Sequence, residues 1–182
     1  MAEALNVGRA AARLRCTVRR GTPELATMPS VIEPGDTAPD FELPDQHGDP
    51  VKLSDLKGKT VVLYFYPKAD TPGCTTQACG VRDHRTAYAS AEAVVLGVSP
   101  DPVKAVSKFD HKFGLGFPLL ADENHEVAEQ YGVWVKKSRY GREYMGNERT
   151  TFVIGPDGVI KDVLRNVKPD AHDDLVLGAL SA

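Results

Sequence analysis

Cysteine is scarce in this chain: Cys16, Cys74 and Cys79 are the only three among 182 residues. They are too few and too unevenly spread for the disulfide frameworks of small secreted domains, so a reducing compartment, the cytoplasm, is expected. No apolar run approaches the ~18 residues of a membrane helix, and no membrane partner is expected. Charge of one sign is lacking as well: 22 Lys and Arg stand against 25 Asp and Glu, a formal net charge of -3. Without a basic field, nucleic acid is not an expected partner. The sequence has no Gly-x-Ser-x-Gly elbow of the serine hydrolases. Gly114-Leu115-Gly116 runs into Phe117-Pro118 and not into a helix, so it is no phosphate loop. What is present is an ordinary globular composition, 42% hydrophobic and 26% charged, at a length that suits one domain with a full core.

Charge is unevenly placed. Residues 1–27 hold five arginines (Arg9, Arg13, Arg15, Arg19, Arg20) against Glu3 and Glu24, which leaves the remainder more acidic than the whole. This stretch lacks the apolar core of a secretory signal. It reads as an organellar transit peptide, a basic arm, or translated sequence upstream of a start at Met28, with an inert extension over residues 1–30 preferred and the folded domain over 31–182.

After Pro34-Gly35 an alternating α/β pattern begins. Phe41 and Leu43, the turn residues 45–49, and Val51-Lys52-Leu53 predict an N-terminal β-hairpin. Thr60 to Tyr66 is an apolar, β-branched and aromatic run suited to a central strand buried on both faces, stopped by Pro67. A helix over 73–89 and a second central strand over Ala93 to Val98 follow. Asp101-Pro102 reads as a helix start with an acidic N-cap, and Val103, Val106, Phe109 and Phe113 recur at helical spacing. A short strand over 117–120, a short helix over 124–131, a hairpin of Thr150 to Ile154 with Val159-Ile160 around Gly155-Pro156-Asp157-Gly158, and a helix over 170–180 complete the chain. Crossovers early and a hairpin late give a mixed sheet flanked by helices, the outline of a thioredoxin-like fold.

Chemistry concentrates where the first central strand meets a helix. Cys74 opens that helix, where unpaired N–H groups and the positive end of the dipole favour thiolate over thiol. Ionisation alone is a modest lever, because a free thiol is already a few per cent ionised at neutral pH and full ionisation gains only about 30-fold. A more acidic thiol is also a weaker nucleophile. Fast chemistry therefore needs groups aimed at charge developing in the transition state. Thr71 can supply a hydroxyl, the Gly73 and Cys74 amides can supply donors, and Pro67 can shield the sulfur from water.

The pattern Pro67-x-x-x-Thr71-x-x-Cys74 resembles the active-site signature of the peroxiredoxins. The longer run from Phe65-Tyr66-Pro67 to Thr71-Pro72-Gly73-Cys74-Thr75, with Cys79 beyond it, is similar to the peroxiredoxin Q or bacterioferritin comigratory protein branch. The likeness extends from about Pro34 to the C-terminal helix. It implies a thiol peroxidase for hydrogen peroxide and organic hydroperoxides on a thioredoxin fold, with Cys74 as peroxidatic cysteine and Cys79 condensing with its sulfenic acid. It also implies reduction by thioredoxin or a related dithiol protein and no metal or organic cofactor; a monomer is expected. Arg149, which opens Arg149-Thr150-Thr151-Phe152-Val153-Ile154, resembles the arginine that leans over the thiolate in this family, a role that suits a permanently charged forked donor. Gln77 stands where close relatives often carry Glu, and Val81-Arg82-Asp83 where they often carry Phe-Arg-Asp. Arg82 reads equally as part of the site or as a solvated helix residue.

Two competing readings are a disulfide exchanger and a non-catalytic redox sensor. The exchanger is disfavoured because Cys74 and Cys79 lack Cys-x-x-Cys spacing and Glu148-Arg149-Thr150 lacks the proline that thioredoxins place before the late strand. On one intact helix, residues five apart have Cα atoms ~8.6 Å from each other, beyond the ~7 Å a disulfide tolerates. If both cysteines share a helix, it must unwind before they bond. Cys74, Cys79 and His84 lack the number and spacing of metal ligands, and His47, His111, His125 and His172 read as solvated. A chain beginning at Met28, or the change Cys16→Ser, should fold and turn over as the full chain does; circular dichroism and peroxide consumption check this, and lost activity would bring the arm or Cys16 into the mechanism.

Overall fold

The computed structural model describes residues 31–139 and 141–181; the basic extension and Cys16 lie outside them. The N-terminal hairpin pairs β1 (Glu42–Pro44) with β2 (Pro50–Lys52), followed by a 3-10 turn at Leu53–Leu56. Then come β3 (Thr60–Phe65), α1 (Pro72–Asp83), α2 (Arg85–Ser90), β4 (Ala93–Ser99), α3 (Val103–Phe113), β5 (Leu119–Ala121) and α4 (Glu126–Gln130). A ribbon of β6 (Trp134–Arg139) and β7 (Arg142–Asn147) precedes β8 (Thr150–Ile154), β9 (Ile160–Arg165) and α5 (His172–Leu180).

The central sheet has the order β5-β4-β3-β8-β9. β3 runs parallel to β4, and β4 to β5, whereas β8 is antiparallel to both β3 and β9. The sheet is mixed, as the alternation of crossovers and a late hairpin predicts. β3 sits at its centre and feeds both cores: Val61, Leu63 and Phe65 pack with Leu96, Phe152 and Tyr131 on one face, while Val62, Tyr64 and Tyr66 pack on the other with Cys74, Ala78 and Val81 of α1 and with Phe109 of α3. Successive strand residues point to opposite faces, so a strand covered on both sides must be apolar throughout.

Several expectations are corrected. The helix expected over 73–89 is two helices, parted at His84, whose Nδ1 lies 3.0 Å from the Gly80 carbonyl already bonded by its own N–H at 2.9 Å. A side chain sharing that carbonyl weakens the helical ladder. Asp101 does not cap α3: the cap position is Pro102, and the Asp101 carboxylate instead accepts the Ala69 N–H at 2.7 Å, drawn to a donor in the loop ahead of Thr71. The β6–β7 ribbon is unforeseen because Lys136, Lys137, Ser138, Arg142 and Glu143 give it no apolar alternation. His172 is fully buried, not solvated, and His125 is half-buried with its ring 4.2 Å from that of Trp134.

At one position the sheet admits only glycine: a Cβ on Gly97 of β4 would lie 2.7 Å from the Tyr64 ring and 2.9 Å from Leu119. Gly97→Ala should destabilise the fold by about 1–3 kcal/mol, the usual cost of overpacking a core, measured by urea unfolding.

Candidate active site

β3 delivers the site. Past its end Tyr66 is still tied into the sheet by its N–H to Val98 O at 3.0 Å, and Pro67 then ends the pairing. The loop that follows is fixed from outside: Asp101 holds Ala69, and Asp70, at φ 55°, is ion-paired to Lys112 at 2.7 Å. Asp is among the few residues that tolerate that left-handed geometry. Thr71 takes the N-cap position with extended backbone, and its carbonyl accepts the Thr75 N–H at 2.8 Å. Its hydroxyl donates back to Lys68 O at 3.1 Å, bracing the loop without capping the helix. Pro72 follows as first helical residue, where its missing N–H costs nothing.

Cys74 is therefore the third residue of α1, in the turn whose N–H groups have no helical acceptor. Its side chain is 2% exposed and belongs to the core beneath α1. Arg149 Nη2 donates to its Sγ at 3.4 Å, and Nη1 of the same guanidinium donates to Gln77 Oε1. Gln77 lies one turn beyond Cys74 on α1, is fully buried, and its Nε2 has no partner. Gly73 lies against the guanidinium: a Cβ there would sit 3.4 Å from Nη2 and 3.3 Å from Pro169.

Arg149 comes to this place through the sheet. β8 is registered on β3 with Thr150 opposite Phe65, so the residue before Thr150 falls beside the end of β3, where α1 begins. The neighbouring chain is anchored too: Asn147 Nδ2 donates to Tyr66 O at 3.3 Å, and Glu148 N–H to Val133 O at 2.7 Å. The Glu148 carboxylate turns to Arg165, at 3.4 Å, and to Thr150 and Asn166. Arg149 thus keeps a neutral partner in Gln77. Lys137 of β6 donates to Asn147 O; burial lowers its pKa, against the pull of Glu148 and with the push of Arg149. Beneath the sulfur lie Tyr64 and Tyr66, whose hydroxyls find no partner and whose pKa values burial drives up, so both rings stay neutral.

The structure brings Pro67, Thr71, Cys74 and Arg149 to one end of β3. Pro67 and Thr71 also line a cavity of about 1010 Å³ that extends under the β6–β7 ribbon past Trp134, Lys137 and Met145. Cys79 is not beside Cys74. It is a free, half-buried thiol on the same unbroken helix. Arg82 is outside the site and closes α1 onto α3 by donating to Phe113 O at 2.7 Å. Sequence reading noted Gln77 only as a departure from relatives, and gave no sign of Lys137 beside the site or of Asp101 holding its loop. For Gln77 the signal was its i+3 position from Cys74 on one helix; for the other two there was none. Among the described residues no group of three or more His, Cys, Asp or Glu could hold a metal ion.

A central mixed sheet with a buried thiol at the mouth of its first crossover helix, under an arginine from a later strand, is the arrangement of a thioredoxin-fold thiol enzyme. Residues 34–163 match the AhpC/TSA family. The chain is 53% identical over 149 residues to the putative peroxiredoxin bcp of Coxiella burnetii, covering 82% of this chain and 99% of that protein. It is 51% identical to peroxiredoxin Bcp of Bacillus subtilis, covering 78% and 90%. Among solved structures, peroxidoxin BcpB from Mycobacterium tuberculosis superposes with a TM-score of 0.74 at 44% identity, covering 82% of this chain and 97% of that one. The bacterioferritin comigratory protein of Xanthomonas campestris, described for its alkyl peroxide reduction activity, does so with a TM-score of 0.74 at 36% identity, covering 78% and 90%. The chain belongs to the AhpC/TSA family, in its Bcp or peroxiredoxin Q branch, and is a thiol peroxidase.

Arg149→Met keeps length and bulk but removes both donors from the sulfur. It should slow peroxide attack by about 10²-fold, the scale of losing an oxyanion donor, as read by stopped-flow; an unchanged second-order rate would remove Arg149 from the site.

Proposed function

We propose that Cys74 is the peroxidatic thiol and that the chain reduces hydrogen peroxide and small organic hydroperoxides. The observation that carries this is the Arg149 Nη2 to Cys74 Sγ contact of 3.4 Å at the start of α1. The Cys74 thiolate attacks one peroxide oxygen, the O–O bond breaks, and the sulfur becomes a sulfenic acid while the departing hydroxide or alkoxide takes up a proton. Arg149 and the free amides of Gly73 and Cys74 stabilise negative charge as it moves from sulfur to the leaving oxygen. Thr71 and Pro67 form the wall through which peroxide enters. The cavity beyond them, lined by Trp134, Tyr144 and Met145 together with Lys68, Lys137, Arg142 and Glu143, gives room for organic hydroperoxides as well as hydrogen peroxide.

Cys79 then acts as the resolving thiol. α1 is unbroken from Pro72 to Asp83, so its two cysteines have Cα atoms ~8.6 Å apart by helix geometry, too far for a disulfide. Resolution requires the first turns of α1 to unwind, and a dithiol protein of the thioredoxin kind reopens the exposed disulfide in the cytoplasm. An intramolecular Cys74–Cys79 disulfide needs no second copy of the chain, in keeping with a working monomer. No helix among the described residues is long and apolar enough to cross a membrane.

Intact mass after one equivalent of hydrogen peroxide tests the scheme. The wild type should lose two mass units as the disulfide forms, Cys79→Ser should gain one oxygen and stop at sulfenic acid, and Cys74→Ser should be inert. Peroxide turnover by Cys74→Ser at the wild-type rate would overturn the assignment.

A further inference from the structure

Gly73, Gln77 and Gly80 fall at i, i+4 and i+7 on one face of α1. The chain leading into α5 clasps that face at both ends. Pro169 covers Gly73, and the carboxylate of Asp173 fills the place a side chain on Gly80 would need, its Oδ2 standing where a Cβ would go. Asp173 is 7% exposed, and its Oδ1 accepts the Tyr88 hydroxyl at 2.7 Å. Burial and that bond raise the Tyr88 pKa, so the phenol remains a donor. Two histidines complete the surroundings: His84 Nδ1 is 3.9 Å from Oδ2, and His172 Nδ1 is 3.5 Å from Oδ1. His172 sets its Nε2 3.0 Å from Thr151 Oγ1 and leaves Nδ1 without a hydrogen bond.

The peroxide chemistry uses none of this cluster. A buried carboxylate is costly to keep, and here it stands against the backbone immediately after Cys79. Glycine is among the weakest helix formers, so α1 is intrinsically soft at the point where unwinding would have to reach. The Tyr88 bond fixes α2 on α5, and α2 continues α1 through His84. With that end held, the slack that Cys79 needs must come from the few residues between the two thiols.

We propose that Asp173, held by Tyr88, is a positioning residue for the second chemical step: a latch at Gly80 that keeps the Cys79 turn wound and sets the rate at which Cys79 reaches the oxidised Cys74. The proposal rests on Cys79 being the resolving thiol. In that step the Cys79 thiolate attacks the sulfenic sulfur, the S–S bond forms as the S–O bond breaks, and the hydroxide released is protonated to water. No other oxidant takes part. Slow resolution leaves the sulfenic acid exposed to a second peroxide, which carries it on to the sulfinic acid, so the latch also sets the sensitivity of the enzyme to excess substrate.

Rapid quenching and mass analysis separate the two steps, since sulfenic acid formation rises with peroxide concentration and disulfide formation does not. Asp173→Ala and Tyr88→Phe should each speed disulfide formation by about tenfold, in line with the loss of a charge-assisted hydrogen bond, and leave peroxide attack within about twofold of wild type. Asp173→Asn, which keeps an acceptor for Tyr88, should stay close to wild type, and the double variant Tyr88→Phe/Asp173→Ala should be no faster than Asp173→Ala. Sulfinic acid at high peroxide should fall in the two fast variants. Ile160→Val, in the core on the opposite face of the sheet, serves as the control for general softening and should resolve at the wild-type rate; acceleration there would overturn the latch. An unchanged or slower second step in Asp173→Ala and Tyr88→Phe, with the Cys74–Cys79 disulfide still formed, would overturn the latch and leave the resolving role intact. A wild type that forms no such disulfide would overturn the reading beneath it.

Discussion

The pairing of β8 with β3 is the constraint on which the site depends. Cys74 and Arg149 are 75 residues apart in sequence, and no local structure could set one against the other. The register that places Thr150 opposite Phe65 stops the guanidinium at the end of β3, where Pro67 has turned the chain into α1. A slip by one residue would reverse every side chain of β8 between the two cores, and five consecutive buried residues in that strand make such a slip expensive. The stability of the sheet and the geometry of the sulfur site are therefore one problem solved by the same contacts.

Charge around the sulfur is managed by keeping anions away. Tyr64 and Tyr66 are buried beneath it and held neutral. Glu148, next to Arg149 in sequence, is occupied by Arg165. Gln77 orients the guanidinium through a neutral oxygen, so the positive charge of Arg149 beside the thiol is not cancelled. A glutamate at that position would orient the arginine equally well and would add a negative charge one helical turn from the thiol. The departure at Gln77 therefore alters the electrostatics while preserving the geometry.

Much of this was legible in the sequence because the relevant signals are local. The run from Thr60 to Tyr66 announces a strand buried on both faces, Pro67 ends it, and Cys74 follows Pro72 at the distance that puts a thiol in a first helical turn. Arg149 was legible only through resemblance, since nothing in its immediate neighbours tells a surface arginine from one turned inward. What escaped reading depends on contacts distant in sequence. Asp101 carries a good capping pattern yet spends its carboxylate on Ala69, because a loop donor comes within reach only once β3 and β4 are side by side. The β6–β7 ribbon hides behind a polar sequence, as a strand pair with little buried area has no need of apolar alternation. His172 looks like any histidine near a helix start, and its burial follows from α5 docking against β8 and α1.

Arg149 makes its two site contacts, to Cys74 Sγ and to Gln77 Oε1, with a single helix. In the proposed scheme the first turns of α1 come apart to join the cysteines, so both contacts would leave with them and the amides of that turn would lose their common direction. The disulfide form would then have no pocket in which another peroxide could be activated. On that scheme loading and discharge are mutually exclusive occupancies of one segment of chain, and new substrate would wait until the disulfide is reopened and the helix has re-formed.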